Sequence, residues 1–214
     1  MTRVHICDYG IGNIHNVARA IRHVGAETIN CTSPDQLTNV ERLVIPGVGA
    51  FASCMTAFTK SGFTEPVLGV IQKGIPVLAI CVGMQMLADV SDEFGTHEGL
   101  GIIKGRIKRL PDTAVDGSPL AVPHISWSKL YETPTTWKET PLEHLRPEAY
   151  AYFIHSYFFD CVHEENQLAT FAYGGRRFTA AVRRDNVVGT QFHPEKSADA
   201  GLQFLTHFVQ RNPS

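Results

Sequence analysis

The sequence lacks the features that mark several special classes of protein. Its formal net charge is only -2, so nothing in the charge favours nucleic acid or an anionic membrane as a partner. No apolar run approaches the ~18 residues that span a bilayer. The amino terminus carries an early charge and has no sustained apolar stretch, so it does not read as a signal peptide. The composition predicts an ordinary soluble globular protein.

Cysteine and histidine patterns exclude two further classes. The number of cysteines is odd, their spacing is irregular and there is no Cys-x-x-Cys, which argues against a disulfide framework or a zinc site. This usage predicts a reducing, cytoplasmic location. The ten histidines contain no His-x-His or His-x-x-x-His pair, so we expect no metal site. The cysteines are Cys7, Cys31, Cys54, Cys81 and Cys161.

The first half of the chain predicts an α/β protein. Short apolar segments that read as strands alternate with segments of helical spacing, which indicates a parallel sheet covered on both faces. Asn13 is typical of a helix N-cap. The predicted strands are residues 4–7, 28–31, 42–45 and 76–80, and the predicted helices are residues 13–24, 51–58, 66–72 and 84–90.

The second half is richer in strand-like segments and ends in an amphipathic helix at about 200–210. There is no internal repeat, and the proline-containing segments look like loops and not like linkers. We therefore expect one domain over residues 1–214. The predicted strands are residues 101–110, 121–125, 150–159, 168–173, 178–183 and 187–192.

One motif can present a cysteine on a tight turn. Cys81 follows a predicted buried strand and precedes a predicted helix, with Ala79 and Gly83 two residues before and after it. Small residues at these positions suit a sharp strand-to-helix elbow that exposes a nucleophile. A helix N-terminus and a nearby imidazole would favour the thiolate. The alternative is an inert core cysteine, since free cysteine is often buried.

A second motif can supply a base and the acid that orients it. His193 and Glu195 are separated by one proline, so in an extended segment both side chains project to the same side. The imidazole would take the thiol proton, and the carboxylate would hold its tautomer. The alternative is a strand-end histidine beside a surface glutamate. Together with Cys81, the motif points to acyl transfer.

Two further segments bear on this site. The glycines at 47 and 49 follow a predicted strand and let backbone N–H groups approach an anion, as in an oxyanion hole, unless the segment is a plain loop. His155 lies in an apolar strand and reads as a hydrogen-bonded core or pocket-wall residue. The segment with the glycines at 47 and 49 is not a Gly-x-Gly-x-x-Gly fingerprint, so a dinucleotide-binding reading is weak.

Taken in order, these motifs resemble those of class I glutamine amidotransferases. Cys-x-Gly-x-Gln after a strand and Phe-His-Pro-Glu near the carboxyl terminus are shared by that superfamily. Pro-Gly-Val-Gly-x-Phe at 46–51 is more particular and is similar to the glutaminase subunits of imidazole glycerol phosphate synthase. The resemblance runs from about residue 4 to residue 210. It also rests on residues 8–14, Pro123, His124, Trp127, residues 152–157 and residues 191–197.

The resemblance implies a flavodoxin-like α/β fold, with a doubly wound, mainly parallel sheet flanked by helices and added antiparallel strands in the C-terminal half. It implies hydrolysis of L-glutamine to L-glutamate and ammonia through a γ-glutamyl thioester on Cys81, with His193 and Glu195 completing a triad. Val48 and Gly49 would form the oxyanion hole. No metal or organic cofactor is implied. The implied substrate contacts are Gly47, Gln85, Ser156 and Tyr157.

The resemblance also implies a partner. Ammonia would pass through a tunnel to a (β/α)8-barrel cyclase in a heterodimer that makes imidazole glycerol phosphate and an aminoimidazole carboxamide ribotide during histidine biosynthesis. Glutaminase activity is typically low in such subunits until the partner binds its nucleotide ligand. The implied interface positions are Asn13, Asn16, Trp127, Tyr152 and Lys196.

Three residues depart from the family pattern. Ala79 replaces the usual glycine before the nucleophile, and Ser126 and Ser128 replace the glycine and asparagine of the usual segment after Pro-His. The serines leave open a paralogous glutaminase that supplies ammonia for surface-sugar modification with a different barrel partner. A non-catalytic subunit on the same fold is a third reading, against which the intact triad residues argue.

Overall fold

The computed structural model describes residues 1–210. In the first 85 residues, strands alternate with helices as predicted. The strands are short, and every residue of the third and fourth is buried, as expected in a parallel sheet covered on both faces. The elements are β1 (Arg3–Cys7), α1 (Ile14–His23), β2 (Glu27–Cys31), β3 (Arg42–Gly47), α2 (Phe51–Lys60), α3 (Thr64–Gln72), β4 (Val77–Cys81) and α4 (Val82–Gln85).

The rest of the described chain is mainly strands and closes with a helix. Short 3-10 helices lie at Pro34–Gln36, Glu164–Asn166 and Pro194–Lys196. The elements are β5 (Val90–Ser91), β6 (His97–Glu98), β7 (Gly105–Arg109), β8 (His124–Lys129), β9 (Tyr131–Glu132), β10 (Tyr150–His155), β11 (Tyr157–Cys161), β12 (Gln167–Tyr173), β13 (Arg176–Arg184), β14 (Val187–Thr190) and α5 (Ala198–Gln210).

Within residues 1–210, the main sheet has eight strands in the order β2-β1-β3-β4-β14-β13-β12-β9. The strands from β2 to β14 pair in parallel, and those from β14 to β9 pair antiparallel. This confirms the predicted α/β class with antiparallel strands added in the second half. The carboxyl ends of β3, β4 and β14 meet at one edge, where ligands bind in open α/β sheets.

Helices α1 and α5 pack on the main sheet through apolar stripes. In α1 the buried residues recur every three or four positions, which is the spacing of one helix face. In α5 they include Phe204, Leu205 and Phe208. The Arg42 Nε atom donates to the carbonyl of Phe208 at 2.6 Å and so ties β3 to α5. Full burial of an apolar side chain such as Phe204 or Leu205 contributes about 1.5–3 kcal/mol to the stability of the fold.

Four predicted elements differ from the structure, and one of them, the predicted strand at 101–110, begins only at Gly105. The predicted helix at 84–90 is wrong, because α4 ends at Gln85 and Val90 already lies in β5. The predicted strand at 150–159 breaks at Ser156 into β10 and β11, which belong to different sheets. The predicted strand at 121–125 begins later, at His124, since Pro123 has no N–H to donate to a ladder.

A two-stranded sheet of β8 and β10 has one buried and one exposed face. The exposed face is largely apolar, with Ile125 56% exposed and Trp127 47% exposed. Alternation along the strands explains the separation, because successive side chains point to opposite faces. We call this surface the β8–β10 face; it consists of Ile125, Trp127, Tyr150, Tyr152 and Ile154.

Two classes of site are absent from residues 1–210. None of the helices described there is both long and apolar enough to cross a bilayer. The same residues contain no group of three or more histidine, cysteine, aspartate or glutamate side chains arranged to hold a metal ion.

Candidate active site

A cavity of about 350 Å³ lies at the edge where β3, β4 and β14 end. Loops after these strands form its inner wall, and the segment around the break between β10 and β11 lies opposite. The structure thus brings together residues that are more than 100 positions apart in the chain. The predicted site residues that line the cavity are Val48, Gly49, Cys81, Gln85, Ser156, Tyr157, His193 and Lys196.

Cys81 stands on a strand-to-helix elbow. Its φ is 57° and its ψ is -113°, a conformation that side-chain-bearing residues rarely adopt. The elbow packs tightly against β3: a Cβ on Gly83 would lie 2.1 Å from the Ile45 carbonyl oxygen, and one on Gly47 would lie 2.4 Å from the Gly83 nitrogen. Helix α4 begins directly after Cys81 but spans only four residues.

Ala79 fits within this strand despite the departure from the family pattern. It is fully buried and sits between Ile45 of β3 and Gly189 of β14 in the sheet register. No Cβ stands on the Gly189 side, so the extra methyl group has a small neighbour there.

His193 connects Cys81 to Glu195. Its Nδ1 atom lies 2.8 Å from Glu195 Oε1, and the ring also interacts with the Cys81 side chain. The two side chains of this pair are 3% and 1% exposed. Burial lowers the pKa of His193, but the interactions with Cys81 and Glu195 outweigh it and raise the pKa to about 10. The geometry therefore favours a charged imidazolium at His193.

Glu195 is itself held from the start of α1. Asn13 Nδ2 donates to Glu195 Oε1 at 3.3 Å, and Asn16 Nδ2 donates to Asn13 Oδ1 at 2.8 Å. Asn13 precedes α1 as predicted, but its side chain makes no capping hydrogen bond, because it reaches the triad instead. The second oxygen, Oε2, is buried without a partner among the described residues.

Residues 46–49 form the loop that we call the oxyanion loop. Gly49 has φ +84° with open space around its Cα, so its role is conformational. Val48 and Gly49 line the cavity beside Cys81. Gly47 does not line it, since it packs behind the elbow; its predicted contact with glutamine stays a prediction.

Gln85 lies at the cavity wall in a fixed orientation. Its Nε2 atom donates to Gln191 Oε1 at 3.0 Å and to the Tyr157 carbonyl at 3.1 Å. Gln191 Nε2 in turn lies 3.7 Å from Cys81 Sγ. Both hydrogens of the Gln85 amide are therefore used within the protein, and its oxygen is the atom left to meet a ligand.

Sequence reasoning missed Glu93 and did not single out Gln191. Glu93 lines the cavity, is 9% exposed and accepts a hydrogen bond from the Phe51 amide at the start of α2, at 2.6 Å. No local pattern marks Glu93, since it follows a two-residue strand and reaches the site through tertiary packing. Gln191 could have been found from its place in the Gln-Phe-His-Pro-Glu segment.

His155 lines the same cavity, in agreement with its reading as a pocket-wall residue. Its Nδ1 lies 2.8 Å from the Tyr157 carbonyl, an acceptor, so Nδ1 carries the hydrogen. The buried Nε2 has no partner among residues 1–210. Burial lowers the pKa of His155 to about 3, which keeps the ring neutral.

The β8–β10 face lies directly beside the triad. The His193 amide donates to the Tyr152 carbonyl at 3.0 Å, so β10 holds the backbone of His193. The Tyr152 ring contacts Trp127 edge-on at 6.0 Å, and Lys196 Nζ lies 5.8 Å from its centroid. Of the predicted interface residues, Trp127, Tyr152 and Lys196 thus cluster, while Asn13 contacts Glu195 and Asn16 contacts Asn13.

The two unusual serines occupy different environments. Ser128 is buried and its hydroxyl lies 3.0 Å from His124 Nε2. Ser126 is exposed and donates to the Trp127 carbonyl at 3.1 Å. Ser126 is not among the described residues with positive φ, so the backbone here does not need the glycine that is common at this position.

Comparison with known proteins gives a consistent result. The family described as "Glutamine amidotransferase class-I" matches residues 5–211. The chain is 39% identical over 212 residues to "Imidazole glycerol phosphate synthase subunit HisH 1" of Legionella pneumophila (strain Lens), covering 98% of this chain and 100% of that protein. It is 44% identical over 215 residues to the subunit HisH of Zymomonas mobilis subsp. mobilis, covering 98% and 96%.

Solved structures share the fold. A crystal structure of a glutamine amidotransferase aligns with TM-score 0.71 at 19% identity over 97% of this chain and 99% of that one. The structure of PurLQS from Thermotoga maritima aligns with TM-score 0.73 at 16% identity, over 98% of each chain. The family match over nearly all of the chain, with the relatives above 30% identity, shows that this chain belongs to the class I glutamine amidotransferase family.

Proposed function

We propose that this chain is the glutaminase subunit of an imidazole glycerol phosphate synthase. It hydrolyses L-glutamine to L-glutamate and ammonia and delivers the ammonia to a cyclase in histidine biosynthesis. The observation that carries the proposal is that Cys81 and His193 line one cavity and interact there, while His193 hydrogen-bonds the buried Glu195 carboxylate. The subunit names of the relatives support the pathway.

In this mechanism the Cys81 sulfur attacks the γ-carbonyl carbon of glutamine. Backbone N–H groups of Val48 and Gly49 stabilise the oxyanion of the tetrahedral intermediate. His193 gives its proton to the leaving nitrogen, so the C–N bond breaks and ammonia departs, leaving a γ-glutamyl thioester. His193 then takes a proton from water as the water attacks the thioester, which releases glutamate and the Cys81 sulfur. Glu195 orients the ring throughout.

Glu93 and Gln85 supply the acceptors that the α-ammonium group of glutamine needs. The Glu93 carboxylate lines the cavity, and the free acceptor of Gln85 is its side-chain oxygen. Ser156 and Tyr157, at the break between β10 and β11, lie where they can contact the remaining part of the substrate. A few polar side chains placed around a cavity fix the orientation of a small ligand by binding its charged groups.

The partner is a (β/α)8-barrel cyclase that binds over the β8–β10 face and forms a heterodimer with an ammonia tunnel. An apolar patch next to a catalytic cavity suits this role, because exposed aromatic side chains are frequent anchors at interfaces. The chain works as one domain over residues 1–214 in the cytoplasm, and of these residues 211–214 lie outside the described part. The interface positions are Asn13, Asn16, Trp127, Tyr152 and Lys196.

The test compares glutamine hydrolysis by the chain alone, with the histidine-pathway cyclase, and with the cyclase and its nucleotide ligand. We expect appreciable hydrolysis only when the cyclase and ligand are present. Substantial turnover by the chain alone, with no gain on adding cyclase, would contradict the coupled function.

A second candidate is a paralogous glutaminase that supplies ammonia for surface-sugar modification. The observation that favours it is the pair of serines beside Trp127, which alters the segment next to the proposed interface. Pull-down from the organism's extract separates the two. Recovery of a different barrel protein, without binding to the histidine-pathway cyclase, would support the paralogue.

A further inference from the structure

Two buried side chains hold carbonyl groups of the oxyanion loop. Tyr9, which follows β1, donates its hydroxyl hydrogen to the Pro46 carbonyl at 2.5 Å. Cys54, the fourth residue of α2, donates its thiol hydrogen to the Val48 carbonyl at 3.2 Å. Tyr9 and Cys54 also contact each other. The peptide group between Gly47 and Val48 therefore lies between two carbonyls that side chains hold in place.

Both donors keep their hydrogens at neutral pH. Cys54 is fully buried and Tyr9 is 5% exposed. Burial raises the pKa of Cys54 to about 11 and raises that of Tyr9 above its usual range. A thiol and a phenol in this state are hydrogen-bond donors, so the carbonyls of the loop are their natural acceptors.

The direction of the Val48 carbonyl decides where the next amide points. The Val48–Gly49 peptide is trans, so its N–H is directed opposite to its carbonyl oxygen. Because the carbonyl faces Cys54, the Gly49 N–H faces away from Cys54, and Gly49 lines the Cys81 cavity. A rotated peptide would turn a carbonyl dipole toward the cavity, where it would repel an oxyanion.

We propose that Tyr9 and Cys54 are positioning residues that set the oxyanion loop in its donating orientation, acting through the Pro46 and Val48 carbonyls. The inference rests on the proposed glutaminase function, because an oxyanion forms only if Cys81 attacks an acyl group. Neither residue touches the reacting atoms. Their effect belongs to the transition state and leaves the ground-state binding of glutamine unchanged.

The experiment uses the full chain with Cys54→Ala, Cys54→Ser and Tyr9→Phe, and Cys31→Ala as the matched control. Cys31 is also fully buried and its thiol also faces a backbone carbonyl, but in β2, at a different edge of the fold. Two reactions of Cys81 are measured: glutamine hydrolysis, with and without cyclase and ligand, and alkylation by iodoacetamide, which forms no oxyanion.

For Cys54→Ala and Tyr9→Phe we expect kcat to fall by about 10-fold while KM changes less than about twofold, the signature of a lost transition-state interaction. The alkylation rate should stay near that of the wild type. Cys54→Ser restores a donor and should recover most of kcat, and Cys31→Ala should behave as wild type.

Two results would overturn this inference while leaving the proposed glutaminase function intact. One is a Cys54→Ala kcat equal to that of an active wild type. The other is a parallel loss of kcat and alkylation, because that indicates general distortion of the site. If the wild-type chain hydrolyses no glutamine under any of these conditions, the proposed function fails and the inference falls with it.

Discussion

The parallel and antiparallel parts of the molecule contribute to the site in different ways. The parallel part places Cys81, the oxyanion loop and His193 at the ends of buried strands, and a single methyl group added at Gly47 or Gly83 would overlap backbone atoms. The small sheet of β8 and β10 supplies an outer wall and an exposed apolar face. The residues proposed for catalysis thus adjoin positions with no spare volume, while the face proposed for partner binding consists of exposed side chains with room to vary. The unusual serines lie in the second part.

Each part also contributes one buried histidine to the cavity, and the two differ in charge. His193 faces Glu195 and Cys81, which favour the protonated ring. His155 faces a carbonyl oxygen, and burial keeps it neutral. The same kind of side chain is therefore protonated in one wall and a neutral hydrogen-bond donor in the other, because the neighbours differ.

The largest expected effect tests the parallel part directly. Cys81→Ser should reduce glutamine hydrolysis by about 10³-fold or more, since a serine hydroxyl is a far weaker nucleophile than a thiolate. It should also abolish labelling by a glutamine-analogue electrophile, read by mass spectrometry. Thermal unfolding serves as the control for folding, and labelling that survives unchanged would mean that another residue is the nucleophile.

The next effect concerns packing under the elbow. Gly83→Ala should lower the free energy of unfolding by about 3 kcal/mol, because the new Cβ meets the Ile45 carbonyl at 2.1 Å. The matched control is Gly69→Ala in α3, where nothing lies within 4 Å of a Cβ. That variant should be more stable by about 0.5–1 kcal/mol. Urea unfolding measures the free energy of unfolding of both variants. Equal changes in Gly83→Ala and Gly69→Ala would show that the close contact under the elbow is not what destabilises Gly83→Ala.

The third effect tests the exposed part. Trp127→Ala should weaken binding of the cyclase by about 2 kcal/mol, or roughly 30-fold, if Trp127 is an interface anchor. The rate of Cys81 alkylation in the isolated chain should not change. Val162→Ala is the control, because Val162 is 68% exposed and lies outside the β8–β10 face. Calorimetric titration with the cyclase gives the affinities; equal losses for both variants would remove the special role of the face.

The smallest effect distinguishes the two histidines by pH. The pKa of His155 is lowered to about 3 by burial, so below 6.5 the unfolded chain binds a proton that the folded chain does not. His155 therefore favours folding above pH 6.5, and this advantage is lost as the pH falls toward 3. For His193 the sign is opposite: its contribution is present below 6.5 and is lost as the pH rises through about 10.

The substitution His155→Gln removes the pH-dependent contribution of His155 to stability. Between pH 7.5 and 5.5, the wild type should lose about 1 kcal/mol more unfolding free energy than the variant, measured by urea titration. The other titratable groups that act on His155 are His124 and His193, and both stay in the variant. Parallel pH profiles would show that His155 does not titrate as assigned.

The sequence predicts the parallel part well because its central strands, β3 and β4, contain short apolar segments followed by a break. The triad could also be located, since its motifs are local and each fits one kind of turn. The helix predicted at 84–90 fails for a physical reason. Met86, Leu87 and Ala88 are fully buried in turns, so their apolar character serves the core and not a helix face.

Residues that join the site through tertiary contacts could not be predicted. Glu93 reaches the cavity from a turn, and Cys54 meets Val48 only once α2 packs beside the oxyanion loop. Asn13 carries a capping signal, but the tertiary contact with Glu195 takes its side chain away from the helix. In each case the role of the residue depends on a tertiary contact. Local sequence propensity does not reveal such contacts.

The backbone conformation of Cys81 lowers the stability of the fold at the residue proposed as the nucleophile. A side chain at φ 57° and ψ -113° costs on the order of 1–3 kcal/mol relative to an unstrained conformation, and glycine would avoid most of that cost. Selection for a stable fold alone would therefore favour glycine at position 81. A cysteine there means that the rest of the core must be stable enough to carry the strain, so mutations that weaken β3 or β4 should deform the elbow before they unfold the protein.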